Sequence, residues 1–324
     1  MRIATFGDIH LGHTQVLDKF LGEEDRLLRF DDHLSRTHDR IILMGDIYQT
    51  DYGSYPGSRS DVLEAILTRY SRIVRRWSTA HYYSLFGNHD LITQKLLGNL
   101  KQIRLLKDDW RIWLTHGHQF DPLIGDKRRL PFVVTWMIGR LRRLGFSCLS
   151  NLLEGRFYDW GQRFFKALEQ AAILALHHGK NDVIVMGHSH QIACLPIGRG
   201  VYVNSGACVP DSLRYVSIDT SRRVVEVRSF TPPNETQLFQ RWEEGSPSFV
   251  KNSIRRSIDP WGQKETVAPL LTPSADAPLI PLHRAASALG TYPIARRRKV
   301  RVLNQIDVKI QEKARKIDRN LFEI

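Results

Sequence analysis

The chain has 324 residues, a formal net charge of +13 and a hydrophobic fraction of 42%. That fraction is ordinary for a globular protein, so a sizeable core can be buried. The excess of positive charge indicates an anionic partner, such as nucleic acid, anionic lipid or a phosphorylated substrate. A basic surface kept for solubility would give the same charge, so charge alone does not identify the partner.

The three cysteines, Cys148, Cys194 and Cys208, are widely spaced and form no CxxC pair. They argue against a disulfide scaffold or a zinc finger and favour a reduced cytosolic compartment. The amino terminus lacks the residue order of a signal peptide, and no apolar run reaches the roughly 18–20 residues of a membrane span. We therefore expect a cytoplasmic protein, with peripheral contact to a membrane left open.

Short apolar runs alternate with helical patterns through the first half of the chain, which predicts a layered fold of strands and helices. Ser60 is a predicted N-cap for the second helix. The predicted elements are strands at Arg2–Phe6, Arg40–Met44 and His81–Phe86, helices at Arg26–His38 and Asp61–Trp77, and a hairpin of Gln102–Leu106 with Trp110–Thr115.

The second half begins with two helical patterns, Leu130–Leu144 and Leu152–His177, without a strand between them. We expect one domain over residues 1–230, with a helical insertion at 120–180, followed by a loosely structured basic extension over 231–324. The strands predicted after the insertion, mostly antiparallel, are Val183–Met186, Gln191–Ile197, Val201–Asn204, Leu213–Ile218 and Val224–Phe230.

Five short polar motifs follow apolar runs, at the strand ends where open α/β sheets place their ligand sites. Each motif alone is a weak signal, because a turn or a polar loop can hold the same residues. Their joint occurrence in this order favours a common site. The motifs are Asp8-Ile9-His10, Gly45-Asp46, Gly87-Asn88-His89-Asp90, His116-Gly117-His118 and Gly187-His188-Ser189-His190.

The residue types in these motifs predict a binuclear metal site. Imidazole, carboxylate and amide ligands suit divalent ions such as Mn²⁺, Fe²⁺ or Zn²⁺, and the absence of thiolates argues against a structural zinc site. Two ions held roughly 3.5–4 Å apart need about seven protein ligands, one of them a bridging carboxylate. The five motifs supply that number.

The motif order resembles that of the calcineurin-like metallophosphoesterases over residues 1 to about 230. The resemblance implies an α/β (α+β) fold, a four-layer α-β-β-α sandwich carrying the helical insertion and the C-terminal extension. It also implies hydrolysis of a phosphate ester or anhydride with two divalent ions, Mn²⁺ being favoured and Fe²⁺ or Zn²⁺ the alternatives. The resemblance implies that a first ion is held by Asp8, His10 and His190, that a second is held by Asn88, His116 and His188, and that Asp46 bridges them. It also implies that His89 acts in catalysis near the substrate and that Asp90 orients His89.

The chemistry expected of such a site follows from charge. A hydroxide shared by two ions forms near neutral pH, because the metals lower the pKa of bound water from about 15.7 towards 7. It would attack phosphorus in line while His89 neutralises an oxygen or protonates the leaving group. His118 is expected to order His116, with substrate contact or a turn cap as alternatives. Gln49 stands where many relatives have an acidic residue or Asn, and it is not expected to be a ligand.

The helical insertion is the main indication of substrate. Its 130–144 segment is apolar with a basic Arg140–Arg143 end, as in a helix packed on the domain with arginines in water. The alternative is a lid that covers an amphiphilic phosphorylated substrate or lies on an anionic membrane. The insertion and the runs at 116–121 and 202–206 resemble the UDP-2,3-diacylglucosamine pyrophosphatases of lipid A synthesis. Those enzymes carry Arg where this chain has His89, so the substrate stays open.

Three functions are therefore compatible with the sequence. The first is hydrolysis of a nucleotide-linked or lipid-linked phosphate or pyrophosphate. The second is a nuclease or nucleotide phosphodiesterase that uses the Arg296–Arg301 run, although no alternation of aromatic and basic residues predicts base stacking. The third is a non-catalytic interaction module, against which the complete set of metal ligands argues. The sequence gives no indication of the oligomeric state.

Overall fold

The computed structural model describes residues 1–14, 18, 20–52, 58–121, 129–177, 181–231, 235–245 and 250–251. The helices are α1 Glu24–Thr37, α2 Arg59–Arg69, α3 Ser71–Trp77, α4 Ile92–Leu96, α5 Arg129–Arg143 and α6 Ser147–His177, with 3-10 turns at Thr50–Tyr52 and His118–Phe120. The strands are β1 Arg2–Phe6, β2 Arg40–Leu43, β3 Tyr82–Ser84, β4 Gln102–Lys107, β5 Trp110–Thr115, β6 Val183–Val185, β7 Ile192–Ile197, β8 Gly200–Ser205, β9 Leu213–Asp219, β10 Val224–Thr231, β11 Glu235–Glu243 and β12 Val250–Lys251.

The strands form two mixed sheets. The first has seven strands in the order β12-β11-β10-β9-β1-β2-β3, and the second has five in the order β4-β5-β6-β8-β7. The parallel pairs β1–β2 and β2–β3 lie in the first sheet, and β5–β6 and β6–β8 lie in the second. Parallel strands turn their carboxyl ends to one edge of a sheet, so the loops after them converge there.

Three apolar cores separate four layers. The central core lies between the sheets and takes residues such as Ile3 and Val216 from the first sheet and Leu114 and Val203 from the second. An outer core packs α1, α2 and α3 on the first sheet, and another packs α6 on the second around Trp113. This is the α-β-β-α sandwich expected from the sequence.

Two local predictions in the first half were wrong. The helix predicted over 61–77 is divided into α2 and α3 at Tyr70, whose hydroxyl donates a hydrogen bond to the buried Asp18 carboxylate at 2.6 Å. The backbone of Tyr70 has φ −97° and ψ 31°, which lies outside helical geometry. Ser60 is not the N-cap, because α2 begins at Arg59 and the preceding Ser58 makes no capping hydrogen bond through its side chain.

The first sheet continues past the boundary expected at residue 230. Strand β11 pairs antiparallel with β10 along its length, and Trp242 of β11 stacks on Trp110 with ring centroids 5.9 Å apart. The burial of Trp242 explains why the chain returns to the sheet after residue 231. Residues 252–324, including Arg296–Arg301, lie outside the described residues.

The helical insertion is present as the pair α5 and α6, with no strand between them. Helix α6 begins at Ser147, five residues earlier than predicted, and packs on the second sheet. Helix α5 contacts the 3-10 turn at Thr50–Tyr52, which follows the Asp46 loop. Within the described part of the chain, no helix is long and apolar enough to span a bilayer.

Candidate metal centre

The predicted ligands lie in loops that follow five strands. Asp8 follows β1, Asp46 follows β2 and Asn88 follows β3 in the first sheet. His116 follows β5 and His188 follows β6 in the second. Because these strands are parallel to their neighbours within each sheet, the loops meet at one edge of the sandwich.

The first cluster joins residues that are far apart in the sequence. The Nε2 atoms of His10 and His190 are 3.3 Å apart, and His190 Nε2 is 3.4 Å from Asp8 Oδ1. The ligand atoms of Asp8, His10 and His190 all lie within 4.8 Å of one another, and the same holds for the separate group of His10, Asp46 and His89. Asp46 therefore adjoins this cluster.

The second cluster forms around His116. Its Nε2 atom is 3.2 Å from Asp46 Oδ2 and 3.3 Å from Asn88 Oδ1. The ligand atoms of Asp46, His116 and His188 all lie within 4.8 Å of one another. Asp46 is thus common to the two clusters, which is the placement that a bridging carboxylate requires.

Hydrogen bonds fix which ring nitrogen faces each cluster. The Nδ1–H of His116 donates to the Met44 carbonyl at 2.9 Å, and the Nδ1–H of His10 donates to Gln49 Oε1 at 2.7 Å. Both imidazoles therefore present the lone pair of Nε2 to the centre of the site. A metal ligand must be in this neutral form.

His188 is oriented in the opposite sense by Asp121. The Nε2–H of His188 donates to Asp121 Oδ2 at 3.0 Å, so Nδ1 is left with the lone pair. Asp121 is buried, and its carboxylate holds the His188 ring in this orientation. Asp121 ends the 116–121 run that carries the resemblance, and no role was predicted for it.

The donor set fits a cation. With its proton on Nδ1, His116 Nε2 is an acceptor, and it faces two further acceptors, Asn88 Oδ1 and Asp46 Oδ2. Only a proton or a cation between them can make that arrangement favourable. Burial alone would lower the pKa of His116, but Asp46, Asp8 and Asp90 outweigh it and raise the pKa to about 9. This negative potential is what divalent ions would neutralise.

Backbone strain is concentrated at the candidate ligands. A positive φ is uncommon for residues other than glycine and costs of order 1–3 kcal/mol, so it persists only where the surroundings impose it. Among described residues, eight non-glycine residues have positive φ, and five of them are candidate ligands. Those five are Asp8, His10, Asp46, His188 and His190.

Two glycines make room for the carboxylates. A Cβ at Gly87 would lie 2.1 Å from Asp46 Oδ1, and a Cβ at Gly187 would lie 2.8 Å from Asp8 Oδ2. Because glycine has no Cβ, the backbone at each position approaches the carboxylate more closely than any other residue would allow.

Asp90 makes contacts other than the one with the His89 ring that the resemblance implies. Its buried carboxylate accepts hydrogen bonds from the backbone N–H groups of Gly87, Ile47 and Tyr48, at 2.6, 2.9 and 3.3 Å. No hydrogen bond between Asp90 and the His89 ring occurs among the described contacts. Asp90 instead fastens the loop after β3 to the loop after β2.

His89 is held by Gln49. The Nε2–H of Gln49 donates to His89 Nδ1 at 2.9 Å, so the proton of the neutral imidazole lies on Nε2. Burial lowers the pKa of His89 to about 4, against the opposing charge of Asp46 and with the help of the neighbouring histidines. Asp51 Oδ2 lies 3.7 Å from the same Nδ1, and the His89 backbone N–H donates to Asp46 Oδ1 at 2.8 Å. His89 therefore adjoins the first cluster as a neutral hydrogen-bond donor.

Two further residues adjoin these loops. The His118 ring lies beside His116 with centroids 5.3 Å apart, and its role in ordering His116 stays a prediction. Asn204 lies in the 202–206 run that carries the resemblance, and no role was predicted for it. Its side-chain amide donates to the Gly187 carbonyl at 2.8 Å and to Ser189 Oγ at 3.0 Å. It therefore braces the loop that carries His188 and His190.

Comparison with known proteins places this site in a family. The model of the calcineurin-like phosphoesterases matches residues 1–192, which include every candidate ligand. No curated protein matches the sequence significantly, so the narrower resemblance to the UDP-2,3-diacylglucosamine pyrophosphatases stays a prediction.

Similar solved structures share little sequence with this chain. The phosphoesterase Yfce from E. coli is 16% identical, over 76% of this chain and 100% of that chain, with a TM-score of 0.39. Vps29 from Entamoeba histolytica complexed with Zn²⁺ is also 16% identical, over 75% and 99%, with a TM-score of 0.38. These similarities are too low to assign a substrate. The family match covers more than half of the sequence, and the chain thus belongs to the calcineurin-like phosphoesterase family of metal-dependent phosphoester hydrolases.

Proposed function

We propose that the chain hydrolyses a phosphate ester or pyrophosphate bond at a binuclear centre in which Asp46 binds both ions. The observation that carries this proposal is the position of Asp46, whose carboxylate belongs to candidate ligand groups on both sides. Divalent ions such as Mn²⁺, when bound, supply positive charge to the phosphate oxygens and activate water for the attack. The proposed ligands are Asp8, His10 and His190 for one ion, Asn88, His116 and His188 for the other, and Asp46 for both.

His89 is proposed to stabilise charge on the substrate. Its Nε2–H is free of the Gln49 bond, and its side chain is partly exposed beside Asp46. A neutral donor in a desolvated site can hydrogen-bond an oxygen that becomes more negative as the phosphorus–oxygen bond breaks. With a pKa of about 4, His89 is suited to this role more than to donating a whole proton at neutral pH.

The basic end of α5 favours a substrate larger than a simple phosphate ester. The Arg143 guanidinium donates to His13 Nε2 at 2.7 Å, and His13 lies three residues after His10. Burial, and then the charge of Arg140, lower the pKa of Arg143. Such crowding of cations is relieved when an anion binds among them. We propose that α5 binds the remote part of a nucleotide-linked or lipid-linked phosphate.

The proposal is tested with purified protein in Mn²⁺ on a panel of substrates. Phosphomonoesters, phosphodiesters, a UDP-linked lipid and single-stranded DNA are compared side by side. We expect turnover of the small esters and faster turnover of the nucleotide-linked lipid, with two ions bound per chain. Asp46→Asn should lose activity and both ions, whereas the exposed Asp211→Asn should keep them. A single bound ion with an active Asp46→Asn variant would refute the binuclear assignment, and preferred cleavage of DNA would favour a nuclease.

The role of α5 is tested separately. Arg143→Ala should raise KM for the larger substrate and leave turnover of p-nitrophenyl phosphate close to that of the unaltered protein, because remote contacts supply binding energy. Arg156→Ala, at an exposed position on α6, is the matched control. Equal effects of both substitutions on both substrates would show that Arg143 does not contact substrate.

A further inference from the structure

Exposed apolar side chains are concentrated on the helical hairpin of α5 and α6. Nine large hydrophobic side chains are exposed among the described residues, and six belong to this hairpin. Soluble proteins rarely gather such side chains without a binding role. The six are Val133, Met137, Leu144, Phe146, Leu149 and Leu152.

The most exposed of them lie at the tip of the hairpin, which we define as residues 140–152. Leu144 and Phe146, on either side of Gly145, expose 64% and 57% of their surface. Leu149 and Leu152 follow on the first turns of α6, and positions three apart on a helix share a face. The tip therefore exposes four large apolar side chains between residues 144 and 152, which we call the apolar ridge.

Positive charge adjoins this ridge. Within the tip the sequence has three arginines, at 140, 142 and 143, and no acidic residue. Arg140 is exposed, and its guanidinium lies 6.0 Å from the centroid of the Trp136 ring. An apolar ridge with arginine and tryptophan beside it is the composition of segments that bind at the interface of an anionic bilayer.

We propose that the tip of the α5–α6 hairpin docks on an anionic phospholipid bilayer. The apolar ridge enters the boundary between headgroups and acyl chains, and the arginines contact lipid phosphates. A second copy of this chain is a poorer occupant, because its own arginines would face these. The apolar ridge has no part in the proposed reaction, so the docking proposal stands whether or not the substrate is a lipid.

Docking by the tip brings the bilayer close to the metal centre. The tip residue Arg143 donates a hydrogen bond to His13, three residues after His10. Helix α5 also contacts the 3-10 turn at Thr50–Tyr52. An anion held at the bilayer surface would therefore meet the arginines beside His13.

Vesicle sedimentation of the full-length protein tests the proposal. The vesicles are phosphatidylcholine with phosphatidylglycerol, and phosphatidylcholine alone. We expect binding to the anionic vesicles at low salt, its decrease as salt rises, and little binding to the neutral vesicles. The double variant Leu144→Glu/Phe146→Glu should bind about tenfold more weakly or less, since it removes apolar area and adds repulsion.

The matched control is Leu106→Glu, which changes an equally exposed leucine on β4, outside the hairpin. Thermal unfolding of all variants should agree with that of the unaltered protein, because the replaced side chains are exposed. Three results would overturn the proposal. They are failure of the full-length protein to bind anionic vesicles, binding by the double variant equal to that of the control, or a dimer in solution that the double variant alone dissociates.

Discussion

Replacing Gln49 should weaken metal binding and catalysis together, because one amide fixes the proton positions of two histidines. Its Oε1 accepts from His10 at 2.7 Å, and its Nε2 donates to His89 at 2.9 Å. A net contribution of about 0.5–1.5 kcal/mol for each hydrogen bond gives about 1–3 kcal/mol for the pair. That range corresponds to about a 5- to 150-fold loss, in line with residues that orient metal ligands.

Two substitutions separate the two bonds. Gln49→Leu removes both, so we expect weaker metal binding and lower kcat. Gln49→Glu keeps an acceptor for the Nδ1–H of His10 but offers no donor to Nδ1 of His89, so metal binding should be retained while kcat falls. Metal content after dialysis and steady-state kinetics on a small ester measure the two effects. The exposed Gln94→Leu is the control.

Two results would refute the proposed role of Gln49. If Gln49→Leu binds metal and turns over substrate as the Gln94→Leu control does, the amide does not position either histidine. If Gln49→Glu loses metal as severely as Gln49→Leu, the contact with His10 is not the one that supports metal binding.

Three further predictions concern the bridge, the loop geometry and the fold. In a metal titration, Asp46→Asn should lower the affinity for both ions, whereas Asn88→Ala should lower the affinity for mainly one. If the two variants lose the same affinity for each ion, Asp46 is not shared between the two sites. Gly87→Ala should abolish activity, because its Cβ would lie 2.1 Å from Asp46 Oδ1, and an active variant would show that the loop relaxes freely. Burial is the main reason that the pKa of His38 falls to about 4 in the folded protein. In the unfolded chain this imidazole has a pKa of about 6.5, so below that pH the unfolded state binds a proton that the folded state does not. The free energy of unfolding should therefore fall by about 2 kcal/mol between pH 7 and pH 5. Urea unfolding of metal-free protein should show that loss, and His38→Gln should reduce it.

The sequence located the candidate site because its signals are local. Each motif follows a short apolar run, and the run and the loop after it are contiguous in the chain. The strands β1, β2, β5 and β6 were therefore predicted close to their observed positions. The α-β-β-α layers followed from the resemblance, and residues from 8 to 190 lie within the family match.

Tertiary structure decided the contacts that no periodicity encodes. His10 and His190 are 180 residues apart and meet at 3.3 Å, and Asp121 reaches His188 across 67 residues. Likewise, the resemblance implied that Asp90 orients His89, but the Asp90 carboxylate accepts hydrogen bonds from three backbone N–H groups. A hydrogen bond between distant segments leaves no pattern in either segment, because it depends only on where the sheets bring their loops. The identity of the polar residues was thus readable from the sequence, whereas the partner of each was fixed by packing of the two sheets.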